Sequence, residues 1–380
     1  MLLSSPIYYT QPGYQMLTRI KTLRPTYAVI DLPSYSHNIS IAQHLSGQGE
    51  VMAIVKANGY GHGADKLADY IMRKNGIKNF GVATISEAVK LREVLGDDVN
   101  ITVMGYIDKN FYPEVFENNI ILTVFDYYIA EMYHRYLQEK SAKAKVVIKL
   151  ETGMNRLGFD TDDFDIHSFM DKYDRFDISM FMTHLSSSDT DFEYTNMQMK
   201  RFDDFMLKNR LNYPTSVFNS SAVVNFRNRY TYTRPGIMTY GYVYADYEVD
   251  LKPVMRIYSK IAQVKHIKKG ESVSYNRTFY APKDMTIGAI PVGYADGYFR
   301  CFSNKGHVYI DGYRCPVIGN ICMDIMMVDI TQIPESSYSS EVELMGEHVS
   351  AEIWAKWAGS ISYEMLCAIS ERIPRVYNTD

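Results

Sequence analysis

The sequence predicts an α/β protein built as a (β/α)8 barrel, the TIM barrel, followed by a mostly β C-terminal domain. Short β-rich runs alternate with longer amphipathic stretches from about residue 25. Near residue 250 the helical stretches stop while short strands continue. The chain has 380 residues, 46% of them hydrophobic, which suffices for one large domain or two ordinary ones.

The expected barrel strands are, in order, "TYAVID", "VMAIVK", "FGVAT", "ITVMG", "ILTVF", "KVVIKL", "ISMFMTH" and "PTSVFN". They are rich in Val, Ile, Phe and Thr, which suit a pleated, buried surface. Each is followed by a segment that can be helical, such as "PSYSHNISIAQHL" after the first and "SEAVKLREVL" after the third. A doubly wound open sheet is the competing architecture, and the lack of a GxGxxG opening the first helix weighs against it. Beyond residue 250, "IAQVKHI", "ESVSYN", "MTIGAIPVG", "GHVYI", "CPVIG" and "MMVDI" are short strands punctuated by Gly, Pro, Asn and Asp. A helical ending follows in "SAEIWAKWAG" and "SYEMLCAISERI". The expected division is an N-terminal arm over 1–24, a barrel over 25–250 and a β-rich domain over 251–380.

In a barrel of this kind the chemistry belongs at the C-terminal ends of the strands. On the expected strand list Lys56 ends strand two, His184 strand seven and Asn219 strand eight, with Arg156 a few residues beyond strand six. Two readings of Lys56 stay open on these grounds. It is an ion-pair partner, or it is a nucleophile, partly desolvated so that its amine forms a Schiff base with a carbonyl. His184 is likewise a structural or a catalytic histidine, and Gly59, Gly61 and Gly63 are turn residues or a phosphate cradle.

Charge and composition exclude several classes. A net charge of -4 without a long Lys/Arg cluster offers nothing to a phosphate backbone, so no nucleic-acid partner is expected. No window approaches the roughly 18 apolar residues of a membrane span, and the N-terminus lacks the charged region of a signal peptide. A cytoplasmic protein without a membrane partner is expected. The four cysteines form no CxxC pair, and the nine histidines no HxH or HxxxH pair, so neither a disulfide scaffold nor a metal site is expected.

The stretch "VKANGYGHG" resembles the cofactor-lysine motif of alanine racemase, a fold-type III pyridoxal phosphate enzyme. "ETGMNRLGF", "THLSSSD", "FNSSA", "RPGIMTYG", "ESVSYNRTF", "PVGYADGYFR", "NICMD" and "SYEMLCAISERIPRVY" resemble further blocks of the family, in the same order, over roughly residues 25 to 377. The resemblance implies a pyridoxal 5'-phosphate-dependent isomerase that interconverts L-alanine and D-alanine, supplying D-alanine for peptidoglycan. It implies a head-to-tail homodimer in which the C-terminal domain of one subunit completes the site of the other.

It also implies roles. Lys56 holds the cofactor as an aldimine and serves as one of two bases, and Tyr275 from the partner subunit is the other. A tyrosine of ordinary pKa near 10 needs neighbours that favour its phenolate, and the resemblance assigns His184 and Arg234 to that hydrogen-bond chain. Arg234 also faces the pyridine nitrogen. The cofactor phosphate is held by Tyr60, Ser220, the backbone of Gly236 and Ile237, and Tyr363, with Asn219 beside them. The substrate carboxylate meets Arg156 and the backbone N–H of Met323 from the partner. Tyr294, Arg300 and Tyr363 line the access corridor.

Lys149 stands where the family often carries a carbamylated lysine, and both states stay open, the carbamate and a plain lysine paired with a carboxylate. Asn276 stands where the family commonly has glycine, which leaves a broad-specificity or serine-preferring racemase as the alternative to strict alanine specificity. A non-catalytic pyridoxal phosphate-binding protein is the reading from a different class, and the C-terminal domain bearing Tyr275 counts against it.

Overall fold

The computed structural model describes residues 22–379. The expected N-terminal arm therefore lies outside the described residues except for its last three positions. Of these, Arg24 forks onto the buried carboxylate of Asp296, with bonds of 2.6 and 2.7 Å.

The first strand, β1 (Tyr27–Asp31), is followed by a helix over Leu32–Ser46. Asp31 ends the strand and caps that helix, accepting from the Ser34 N–H at 2.9 Å, with Pro33 in the first turn. Then come β2 (Glu50–Ile54), β3 (Asn79–Val82), β4 (Asn100–Val103), β5 (Ile121–Val124), β6 (Ala144–Glu151), the two-residue spur β7 (Phe159–Asp160), β8 (Phe176–Met182), β9 (Thr215–Ser216) and β10 (Tyr232–Thr233). Eight of these, β2 to β6 and β8 to β10, run parallel in one sheet that closes where Tyr232 pairs with Glu50 and Thr233 with Val51. This is the expected barrel. Side chains such as Thr84, Asp126 and Asp191 cap the helices that follow the strands, each accepting a backbone N–H of the first turn.

Two strands differ from the expected list. "TYAVID" forms β1, but β1 pairs antiparallel with β11 (Met255–Lys260) and parallel with a strand at the far C-terminus, outside the barrel. Four of its five residues are buried, so it reads like a barrel strand, and periodicity does not tell which sheet a doubly covered strand joins. The missing eighth strand is β10, two residues long and too short to carry a pattern. The count along the rim moves accordingly. Lys56 follows the first barrel strand, Lys149 lies in the fifth, His184 follows the sixth, Asn219 the seventh and Arg234 the eighth.

The rest of the chain adds β12 (Gln263–Ile267), β13 (Ser272–Val273), β14 (Phe279–Tyr280), β15 (Met285–Ile290), β16 (His307–Ile310), β17 (Tyr313–Pro316), β18 (Met326–Asp329), β19 (Glu341–Met345) and β20 (Arg375–Asn378). They form a six-stranded sheet in the order β17-β16-β19-β11-β1-β20, a three-stranded sheet β12-β15-β18 and the ribbon β13-β14. Helices at Ala351–Ala358 and Ser362–Cys367 match the helical ending expected there. One apolar core runs from the barrel into the six-stranded sheet, and a separate small cluster of Val273, Ala281, Met285, Ile287 and Ile318 lies under β13 and β15. Among the described residues no helix is long and apolar enough to cross a membrane.

Candidate active site

The chain leaves β2 in an unusual way. Ala57, Asn58, Gly59 and Tyr60 all have positive φ, between 50° and 60°, and so form a left-handed turn directly after Lys56. L-residues resist this by about 1–2 kcal/mol each, so the turn needs external support. Support comes from the Glu87 carboxylate, which accepts the Ala57 N–H at 2.6 Å, and from the Asn58 side chain, which accepts the Ala64 N–H at 3.0 Å. The glycines make close approaches rather than a phosphate cradle. A Cβ on Gly61 would lie 2.4 Å from the Leu366 carbonyl, and one on Gly63 would strike the Tyr377 ring. The result is a half-buried lysine on the rim, followed four residues later by a buried Tyr60.

Around Lys56 the charges are unbalanced. Burial lowers the pKa of its amine, and Arg156 adds to the shift. Burial, then Arg234 and Arg156, bring the Lys149 amine down to about 7. Arg234, buried and facing Arg156, is lowered to about 10. Glu87 and Glu151 are the carboxylates that oppose this cluster. Burial raises the Glu151 carboxyl, but the backbone N–H groups of Asn155, Gly153, Arg156 and Met154 outweigh it and keep it low. The same contacts fold the 151–156 loop around Glu151, with the Arg156 N–H at 3.2 Å.

Arg234 is the centre of the hydrogen-bond network. Its guanidinium donates to Ser216 Oγ at 2.5 Å, to the Thr183 carbonyl, and to His184 Nδ1 at 3.3 Å. Arginine has no acceptor, so Nδ1 must be the unprotonated nitrogen of His184 and Nε2 carries the proton. Burial and the adjacent Arg234 also push the imidazole well below its usual range, which keeps it neutral.

Opposite Lys56, two chain turns meet. Asn219 caps the turn at Ser220–Asn225, accepting from the Ala222 N–H at 3.0 Å and from Ser188 Oγ at 2.7 Å. The Ser220 hydroxyl accepts the N–H groups of Gly236 at 2.9 Å and Met238 at 3.3 Å, while Ile237 is buried between them. Tyr60 closes this corner, its ring 4.6 Å from Tyr240 and 6.1 Å from Tyr363. A Cβ on Gly236 would lie 2.5 Å from Tyr60 Oη. Burial keeps the phenols of Tyr60 and Tyr363 protonated by raising both pKa values.

The structure thus gathers Lys56, Tyr60, Lys149, His184, Asn219, Ser220, Arg234, Gly236, Ile237 and Tyr363 around the barrel mouth, with Arg156 on its exposed edge. It does not bring Tyr275, Tyr294, Arg300 or Met323 to them. These four are exposed in turns and loops of the C-terminal domain, Tyr275 at 69% and Met323 at 52%, and no hydrogen bond or ion pair among the described residues joins them to Lys56. Sequence reasoning missed two contributors. Glu87 had a visible signal as the fourth residue of the capping box "TISE", whose carboxylate also reaches across to Ala57. Cys367, whose thiol and the Lys56 amine shift one another, had none.

The family models for the N-terminal and C-terminal domains of alanine racemase match residues 30–243 and 254–377. Alanine racemase 1 of Clostridium acetobutylicum is 37% identical over 373 residues, covering 93% of this chain and 96% of the relative. The alanine racemase of Thermodesulfovibrio yellowstonii is 37% identical over 361 residues, covering 92% and 97%. Among solved structures, an alanine racemase of Clostridium difficile 630 aligns with a TM-score of 0.88 at 30% identity, over 94% of this chain and 97% of that one. The Bartonella henselae alanine racemase with covalently bound pyridoxal phosphate aligns with a TM-score of 0.86 at 29% identity, over 93% and 99%.

Proposed function

The chain belongs to the alanine racemase family, and from that premise we propose that Lys56 and Arg234 would hold pyridoxal 5'-phosphate at the barrel mouth and that L-alanine and D-alanine are interconverted there. The observation that carries this reading is the crowd of basic side chains at the barrel mouth. Lys56, Lys149, Arg156 and Arg234 outnumber the carboxylates near them, which suits a site that receives a phosphate and a substrate carboxylate.

The residues fit the cofactor. Gly236 and Met238 direct backbone N–H groups at the Ser220 hydroxyl, and a Cβ at Gly236 would lie 2.5 Å from Tyr60 Oη, so the corner is closely built around small groups and backbone donors. Tyr60, Ser220, Gly236, Ile237 and Tyr363 would hold its phosphate, with Asn219 keeping the Ser220 turn in shape. Bound there, the cofactor supplies an electron sink that makes a substrate Cα–H acidic.

The chain's own residues do the rest. Lys56 has an amine whose lowered pKa favours the neutral form that attacks an aldehyde and accepts a proton. Arg234 donates without surrendering its proton, even though its pKa falls to about 10. Arg156 offers a planar fork to the substrate carboxylate. Removal and return of a proton on opposite faces needs a second base, and we assign Tyr275 from the partner subunit. Tyr275 and Met323 are exposed and, among the described residues, make no hydrogen bond or ion pair to Lys56; this favours a homodimer with shared sites, with Tyr294 and Arg300 lining the partner's corridor. A cytoplasmic enzyme supplying D-alanine to peptidoglycan follows from the family. Asn276 beside the base leaves serine as a slower second substrate.

The test is an absorption spectrum of the purified protein followed by optical rotation after adding L-alanine. Decay of rotation to zero with a visible cofactor band supports the reading. A band without decay for alanine, serine or lysine overturns it. Gly236→Ala is expected to weaken cofactor retention at least roughly tenfold, about 1.4 kcal/mol, because the new methyl meets Tyr60 Oη. Titrating cofactor-free protein by absorbance measures this.

Lys149 carries a pH prediction. Its amine titrates at about 7, so the neutral form that adds carbon dioxide predominates above that pH and is lost below it. A carbamate on Lys149 would place a negative charge between Arg156 and Arg234. Protein equilibrated with ¹³C-carbonate is expected to show a carbamate carbon signal at pH 8 that shrinks toward pH 6 and is missing in Lys149→Ala. An unlabelled lysine at pH 8 means the plain amine is the working state.

A further inference from the structure

Tyr275 lies in a turn that its own residues resist. Ser274, Asn276 and Arg277 have φ of 65°, 59° and 52°, the left-handed region, and none is glycine. The Tyr275 side chain is 69% exposed and, among the described residues, no side-chain hydrogen bond or ring contact holds it, so its direction depends on the backbone. One residue outside the turn holds that backbone at both Ser274 and Tyr275. The Asn320 side-chain amide donates to the Tyr275 carbonyl at 2.8 Å, and the Asn320 main-chain carbonyl accepts from the Ser274 hydroxyl.

Asn320 is itself held firmly. It is 8% exposed, the Gly319 N–H donates to Asn304 Oδ1 at 2.7 Å, and the Ile321 N–H donates to Ser303 Oγ at 2.9 Å. The close approach depends on Gly319, at φ 72°, where a Cβ would lie 2.7 Å from the Val273 carbonyl. Three residues further on, the Met323 carbonyl accepts the Ala295 N–H at 3.1 Å. The loop that carries Met323 is therefore the loop that grips the Tyr275 turn.

We infer that Asn320 is a positioning residue for Tyr275, setting the direction in which the phenol is presented to the partner's site and fixing its spacing from Met323. This rests on the reading of Tyr275 as the second base. An aspartate at 320 keeps the shape but sets a carboxylate oxygen against the Tyr275 carbonyl, and an alanine removes the bond.

The experiment uses the cofactor-loaded enzyme with α-deuterated L-alanine and D-alanine in ordinary water, and reads the initial loss of deuterium from each. Tyr275→Phe identifies the enantiomer that depends on the phenol. Asn320→Asp and Asn320→Ala are expected to slow deuterium loss from that enantiomer at least roughly tenfold while the other stays within about twofold, and Asn320→Gln recovers part of the loss. Backbone amide hydrogen exchange over 273–278 is expected to rise several-fold in the same variants, with or without cofactor. Ser274→Ala, which removes only the hydroxyl, gives the same one-sided pattern in milder form and covers the case in which the Asn320 variants do not fold. Equal slowing on both enantiomers, or no slowing on either, overturns the proposal. If Tyr275→Phe itself spares both enantiomers, the base assignment fails and the proposal falls with it, whatever the amides show.

Discussion

Lys56→Ala is expected to abolish racemisation, by at least roughly 10⁴-fold or about 5 kcal/mol of barrier, and to remove the visible band of a lysine-bound cofactor. The size of the effect follows from the two jobs the amine holds in the proposed mechanism, attachment of the aldehyde and proton transfer on one face. Lys56→Arg separates charge from chemistry. It keeps a cation beside Glu87, but a guanidinium neither attacks the aldehyde nor accepts a proton near neutral pH. It is expected to be as inactive as the alanine variant while retaining more of the cofactor. Added methylamine is expected to restore part of the rate to Lys56→Ala, since a small amine can do the proton transfer. Steady-state kinetics in both directions together with absorption spectra measure all of this. Activity within a hundredfold of the unaltered enzyme in Lys56→Ala would remove the lysine from the mechanism.

Tyr275→Phe is expected to cost roughly 10²- to 10⁴-fold in both directions of racemisation, the range of a lost general acid–base group. The ring is exposed and makes no side-chain hydrogen bond among the described residues, so melting temperature should stay unchanged, and the loss is chemical. Subunit mixing turns the same variant into a test of shared sites. Neither the Lys56→Ala nor the Tyr275→Phe homodimer has an intact site, whereas a hybrid of the two has one. Random exchange of subunits in a two-fold dimer should therefore recover about a quarter of the unaltered activity. No recovery after exchange would mean that lysine and tyrosine serve the same site from the same chain.

Most of the barrel strands that could be read ahead of the structure span four residues or more, such as those in "ITVMG" and "KVVIKL", and the two-residue β9 was legible through the apolar residues that follow it in "PTSVFN". The two that misled did so for physical reasons. The strand "TYAVID" is covered on both faces, so its side chains carry no mark of which sheet it enters. The strand Tyr232–Thr233 holds its place by two register pairs to Glu50 and Val51, and two residues show no period. Their errors compensate in the count and displace the numbering of the rim, and Arg234 emerges as the end of the closing strand.

At the site, Lys56 and His184 could be placed on the rim from strand ends alone, whereas the phosphate corner and the second base came through resemblance. What neither route contained was the support. The left-handed turn after Lys56 depends on Glu87, and the Tyr275 turn on Asn320; both contacts cross between segments far apart in the chain. A hydrogen bond from a distant side chain to a backbone group leaves little trace in local sequence.

The pairing of β1 with β20 bears on how the molecule is made. Ala28 sits opposite Arg375 and Asp31 opposite Asn378, so strands from opposite ends of the chain lie side by side. During synthesis the barrel segment leaves the ribosome long before its sheet partner exists, and β1 waits with an open, apolar edge. Such end-to-end closure has a high contact order and is slow to reach. The nascent chain carries this open edge until β20 has emerged. Removing β20 strips β1 of its parallel neighbour, so a cut near Arg375 is felt at the opposite end of the chain.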